Sequence, residues 1–329
     1  MKRPTLLALA TVAATAAVPA TASAASIALT APGGTPTIAY AAAPGEVNAL
    51  EMHGTVGGGF DLRMPFNEYS APLSVGAGCG GLLPTICGRV DQAFPVAVSL
   101  ADKDDVASVN SFTDDLTMDA GSGNDDVLAG GLDATAGGGS GNDSIILAAN
   151  SLTTGNGGDG RDRIYAGLGA AAARLTGGRG GDLLVPDGFA FNDAEGDSGD
   201  DRLVSFTGDT VTLSGESGND VLAAPTSGGD VTLNGGSGRD TIVSHVGGVT
   251  VDAGSGTDFV DVRGDASSAA DTVSCGSGRD VAWANSGDAV ASDCEVVIRR
   301  GTPPVINKVS SAVDAAHALA AHRPDPAGV

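Results

Sequence analysis

Apolar residues along this chain fall into short alternating runs, and from residue 118 onward they recur at a long, nearly constant interval. One row holds Val127, Ile145, Ile164, Leu184, Leu203, Leu222, Ile242, Val260 and Ala282. A second holds Met118, Ala136, Leu175, Leu213, Leu233, Val251 and Val273. Alternation around each position predicts strands, and two rows per interval predict a coil of two short strands and two turns, with both rows facing inward. Ahead of this region, Thr37-Ile38-Ala39-Tyr40 and Phe60-Asp61-Leu62-Arg63-Met64 alternate between Gly and Pro turns and predict a small β segment. After Ile298 the pattern stops. Ser310 to Ala321 is Ala-rich enough for a short helix, which Pro324 and Pro326 end. At the other end, the apolar run Leu6 to Val18 follows Lys2 and Arg3 and precedes Ala22-Ser23-Ala24, the pattern of a secretory signal peptide cut after Ala24.

Between the two apolar rows lies a phrase that recurs nine times from Ala120 to Ala282. Its clearest copies are Gly138-Gly139-Ser140-Gly141-Asn142-Asp143-Ser144-Ile145, Gly177 to Leu184 and Gly235 to Ile242, each Gly-Gly-x-Gly-x-Asp-x-apolar. The Asp positions are 125, 143, 162, 182, 201, 220, 240, 258 and 280, spaced by 18 to 22 residues, or about two nine-residue units. Only one turn per coil carries the full phrase, so the complete copies should stack along one edge. Asp105, 20 residues before Asp125, ends a worn copy. A row outside the core, Thr117, Thr135, Thr154, Arg174, Asp193, Thr212, Thr232, Thr250 and Thr272, reads as a β-propensity ladder. It is interrupted and single, which argues against a flat surface for ice or sugars.

Composition narrows the picture. With 51 Gly and 4% aromatic residues in 329, the chain has too few large side chains for an ordinary core of its length, while 42% hydrophobic content argues against disorder. A thin, repetitive core suits both. The net charge of −23 and pI near 4.2 disfavour nucleic acid and anionic membranes and favour cations. No stretch is long and apolar enough to span a bilayer. Four cysteines in an exported chain suggest two disulfides, and local pairing of Cys79 with Cys87 and of Cys275 with Cys294 is the economical choice among three connectivities. Zinc is the weaker alternative, since the spacing is not that of a zinc knuckle and no His lies nearby.

The glycines of the phrase permit sharp turns that aim carbonyl oxygens inward, and the Asp adds a carboxylate. Hard oxygen ligands in flexible number suit Ca²⁺. Here the sequence resembles the RTX or haemolysin-type calcium-binding repeat family, over about half of the chain. The resemblance implies a right-handed parallel β-roll with Ca²⁺ between successive turns, held by turn carbonyls and by Asp125, Asp143, Asp162, Asp182, Asp201, Asp220, Asp240, Asp258 and Asp280. Nine turns on one edge offer at most eight gaps. The opposite turns are reduced to forms such as Thr207-Gly208-Asp209 and Gly247-Gly248, unlike the family's two full edges, and Asp197 and Glu216 replace the second Gly in two copies.

The expected fold is therefore all-β: a right-handed parallel β-roll (β-solenoid) with a small N-terminal β cap. The expected divisions are a signal peptide at 1–24, a disulfide-linked β cap at 25–100, the calcium-binding roll at 101–298 and a flexible tail at 299–329. Loss of the signal peptide takes the charge from −23 to −25, and eight divalent ions would leave −9. Folding is thus expected to depend on Ca²⁺, because an ion that binds only the folded array stabilises it. Affinities of about 10⁻⁴ to 10⁻³ M, common in extracellular modules, would fill the array only outside the cell.

Two enzyme-like strings dissolve into the repeat. Gly155 to Gly160 matches GxGxxG, but the repeat generates that spacing by itself. Gly196-Asp197-Ser198-Gly199 resembles a serine-protease nucleophile loop, yet Ser198 holds the same phrase position as Ser140 and Ser237, and His53 in the cap is the only upstream histidine. Glu51 and His53 read as the exposed face of a strand, and His317 and His322 as solvated. The expectation is a secreted, non-enzymatic calcium-binding module, working at the cell surface or in the medium with an unnamed partner. The alternative is an accessory or remnant of a secreted hydrolase carrying such repeats.

Overall fold

The computed structural model describes residues 25–30, 37–54, 60–63, 74–75, 79–80, 85–87, 95–110, 115–167, 169–226, 229–263, 269–299 and 307–321. Side chains from 53 to 94, and at some strand and helix ends, lie outside that description. The signal peptide expected at 1–24 also lies outside it. So do the side chains of His53, Cys79 and Cys87, although the backbone places Cys79 opposite Cys87 in an antiparallel pair.

Strands alternate between two sheets as the chain advances, 14 in one and 15 in the other among the described residues. A representative coil runs along Ala134–Ser140 in the first sheet, turns through Asp143 and continues along Ser144–Leu147 in the second. It then returns to the first sheet as Leu152–Asp159, in parallel register Thr135↔Thr154. The same step repeats through the array, giving a parallel β-solenoid. The cause is the alternation noted above, because a strand with one apolar face must bury it, and only the facing sheet of the same coil is available.

Both apolar rows point inward, each member 2% exposed or less. Where the second row reaches Gly155, the side chains of Ile164, Leu147 and Leu175 close over the missing Cβ. The core does not stop at the cap. Ile38, Tyr40, Leu50 and Met52 belong to the same apolar cluster, and Thr37–Ala41 and Ala49–Gly54 pair in parallel with Val96–Ser99 and Val106–Asn110. The cap closes this end by reversing direction: Ser26–Thr30 and Phe60–Arg63 pair antiparallel with the first parallel strands, so neither of those strands is left as an open edge. The Thr-rich row is in register along the outside of the first sheet, exposed or half-exposed.

At the far end, Cys275 and Cys294 form a disulfide with a Cα–Cα distance of 5.1 Å, as local pairing predicts. Within the segment expected to be a flexible tail, helix α1 (Asn307–Ala321) packs on the outer face of the second sheet. It buries Ala312, Ala316 and Leu319 against Ile146, Tyr165, Val185, Val204 and Ala223, and His317 stacks on Phe206 at 4.5 Å between ring centroids. The physical reason is that the residue after each inward apolar position is often apolar too, so these strands present two greasy faces. Among the described residues no helix is long and apolar enough to cross a membrane.

Candidate metal centre

Each phrase turn is shaped by glycine at two places. At the fourth position Gly141 has φ 130°, and a Cβ there would stand 1.5 Å from the carbonyl oxygen of Gly123 in the preceding coil. The same clash recurs at Gly160, Gly180, Gly199, Gly218, Gly238, Gly256 and Gly278, which explains why this Gly is constant in all nine copies. At the first position, a Cβ on Gly157 would meet Asp162 Oδ2 at 2.4 Å and the Gly177 carbonyl oxygen at 2.5 Å. A carboxylate oxygen and a carbonyl oxygen from the next coil thus converge on a bare Cα. Gly138, Gly177, Gly196, Gly215 and Gly235 repeat the arrangement, whereas Ala120, Ala253 and Cys275 take this place in the copies of Asp125, Asp258 and Asp280. At the second position Asp197 and Glu216 adopt φ of 66° and 69°, left-handed backbone that costs a non-Gly residue about 1–2 kcal/mol.

The nine phrase aspartates are all brought together, in one buried ladder along one edge, each 2% exposed or less. The carboxylate of each accepts a hydrogen bond from the backbone N–H of the ladder residue one coil earlier. Asp125 N–H donates to Asp143 Oδ1 at 2.9 Å, Asp143 N–H to Asp162 Oδ1 at 2.8 Å, and Asp182 N–H to Asp201 Oδ1 at 2.7 Å. The ladder continues to Asp258 N–H on Asp280 Oδ1. Sequence reasoning missed its two ends. Asn48 donates its N–H and side-chain amide to Asp105 Oδ1, and Glu295 accepts from Asp280 N–H at 2.9 Å. Neither lies in a phrase, so only the spatial register reveals them. Asp105, taken as part of a worn copy, is a full member at 1% exposure.

The second carboxylate oxygen is the unusual one. Oδ2 of Asp105, Asp125, Asp143, Asp162, Asp182, Asp201, Asp220, Asp258 and Asp280 is buried and accepts no hydrogen bond. Buried polar atoms nearly always have a partner, and an orphaned charged one is expensive. Burial accordingly pushes the carboxyls up: Asp105, Asp125, Asp162 and Asp220 to about 7, Asp201 to about 8 and Asp258 to about 6, with Asp143 and Asp182 raised as well. The accepted N–H bond works against burial in each, and neighbouring carboxylates reinforce burial in most. A row of orphaned oxygens beside converging carbonyl oxygens is a donor set that fits a hard divalent cation.

The opposite edge is built differently. Asn192 stitches it by accepting from Gly188 N–H and donating to Gly188 O, Ser205 Oγ and Thr207 O, while Asp271 accepts from Gly248 and Val249 N–H. Of the enzyme-like strings, Gly155–Gly160 begins within the strand Leu152–Asp159 and leads to the strand Arg163–Ala166, where a dinucleotide site would need a helix. Ser198 is exposed, with its hydroxyl near Gly178 O. Cys275, Asp293 and Cys294 lie close enough to share an ion, but both sulfurs are spent in the disulfide. Comparisons with protein-family models, with curated proteins and with solved structures give no match.

Proposed function

We propose that this chain is a secreted, non-enzymatic calcium-binding repeat protein of the RTX or haemolysin type, a structural or interaction module whose folding is coupled to Ca²⁺. The observation that carries the reading is the row of buried Oδ2 atoms without partners. Bound Ca²⁺ supplies the positive charge that lets this row stay ionised away from water. The chain's own part is to present the Oδ2 atoms of that row, since Oδ1 is engaged by a backbone N–H, together with the first-Gly carbonyl of the next coil. The six copies with a bare Cα, from Gly138 to Gly235, are the better sites, so calorimetry should find about six ions rather than the eight that spacing alone allows. Circular dichroism should lose its β signal in excess EGTA and regain it with Ca²⁺. The disulfide accords with an oxidising compartment.

A second reading is favoured by the completeness of the Oδ1 ladder and by carboxyl pKa values near 7: an ion-free polar spine in which the carboxyls are protonated. Asp162→Asn separates the two. It keeps an acceptor for Asp143 N–H and removes the charge that the carboxyl carries above about pH 7, so without Ca²⁺ at pH 8 it should recover part of the β signal. If ions bind, the same change lowers the stoichiometry by one, whereas a pure spine shows no ion count to lower.

A further inference from the structure

We infer that the groove between helix α1 and the phrase edge binds an extended oxyanionic ligand, an acidic glycan fragment carrying at least two charged groups. On the outside of the second sheet the seventh phrase position places Ser144, Arg163, Leu183 and Arg202 on successive strands in register. Arg163 and Arg202 are therefore two strand spacings apart, about 10 Å. Arg161, two residues before Arg163, joins them around a cleft of about 500 Å³ that Asn142, Ser144, Leu183 and Ala315 also line. An adjoining cleft of about 470 Å³ continues along α1 past Asn124, Asp126 and Leu319.

Three features mark the cleft as more than a surface wrinkle. Among the described residues none of the three guanidiniums donates a hydrogen bond or sits in an ion pair, although acidic residues outnumber basic ones 40 to 17 in the chain. Asp143 and Asp162 lie beneath the floor at 2% exposure or less, as does Asp182, whose carboxyl is stabilised by Arg161, so the half-exposed carboxylate lining the two clefts is that of Asp126, in the adjoining one. Finally, the cleft is open because position five of its central coil is Gly181. That residue is not left-handed, and a Cβ there would first meet the Asp200 carbonyl oxygen at 3.1 Å and Arg161 Nε at 3.7 Å.

Guanidinium forks select planar or tetrahedral oxyanions, Ser144 offers hydrogen bonds to hydroxyls, Asn142 keeps one N–H beyond those it uses in bonding Asn124 Oδ1 and accepting from Arg161 N–H, and Ala315 supplies apolar contact for a ring face. A glycan advances roughly 5 Å per sugar, close to the roughly 4.8 Å between strands, so a chain laid along the solenoid axis keeps step with the coils. The cleft's volume suits a ligand of two or three sugars.

Titration calorimetry on the full folded chain tests this, with inorganic sulfate and a disulfated disaccharide as separate probes. The disaccharide should bind one per chain, at least tenfold tighter than sulfate, and weaken with added salt. Arg163→Gln/Arg202→Gln should cost at least tenfold. Gly181→Leu, which fills the cleft but keeps the arginines, should do the same, and it carries the test if the double variant fails to fold. Arg239→Gln, at Arg161's phrase position but outside the cleft, should bind normally. No binding by the parent chain, equal affinity for the two probes, or undiminished binding by folded cleft variants would overturn the proposal.

Discussion

A single aspartate in this array has two oxygens with opposite fates. Oδ1 completes a backbone hydrogen bond and Oδ2 is stranded, so the side chain is structural and incomplete at once. This fixes the sign of the pH dependence. Burial raises the carboxyls of Asp105, Asp125, Asp162 and Asp220 to about 7, Asp201 to about 8 and Asp258 to about 6, against 3.8 in an unfolded chain, so the fold binds more protons. In EGTA, stability is fully present below about pH 4 and is lost as pH rises through 7 to 8. The β signal lost in EGTA at pH 8 should therefore return on acidification to pH 5, and a flat profile would rule the ladder out as the source. With Ca²⁺ the slope weakens, because the ion favours the deprotonated form and displaces protons. Glycine gives a matched pair for the same site. Gly157→Ala drives a methyl between Asp162 Oδ2 and the Gly177 carbonyl and should cost about 1–3 kcal/mol. Gly137→Ala, with nothing within 4 Å, should change thermal stability by less than about 0.5 kcal/mol.

A strand here is more than its inward row. The inner faces were legible because Val127, Ile145, Ile164 and their successors recur at one phrase position, and a repeating position must do the same job in each coil. The outer face was not. Ile146, Tyr165, Val185 and Val204 follow the inward residues directly, and such apolar doublets are the signal of a strand buried on both sides. Helix α1 is what covers them, and its composition alone reveals that it is helical, never where it docks. The ladder's nine aspartates were legible for the same reason as the inner rows, whereas Asn48 and Glu295 belong to no repeat and join only through space. Leu319→Asp tests the covering role. It should release the helix, raise binding of a hydrophobic dye and lower the melting temperature, while the β signal persists because the inner core is untouched.

The whole molecule is a stack in which each coil touches only its neighbours, so its stability is a sum of coil and interface contributions. The N-terminal strands share the core, and the Cys275–Cys294 bridge, 19 residues apart in sequence, restrains the other end by about 3 kcal/mol of loop entropy. The hydrogen-bond ladder also has a direction. Every coil contributes its carboxylate to an N–H already present in the coil before it, and the first donor, Asn48, lies at the end that is synthesised first. Asn48 thus sets a template, and each later coil can be received as it emerges. A chain made from its N-terminus meets a docked edge at every step, so synthesis and folding can proceed as one vectorial process that ends when Glu295 receives the last N–H.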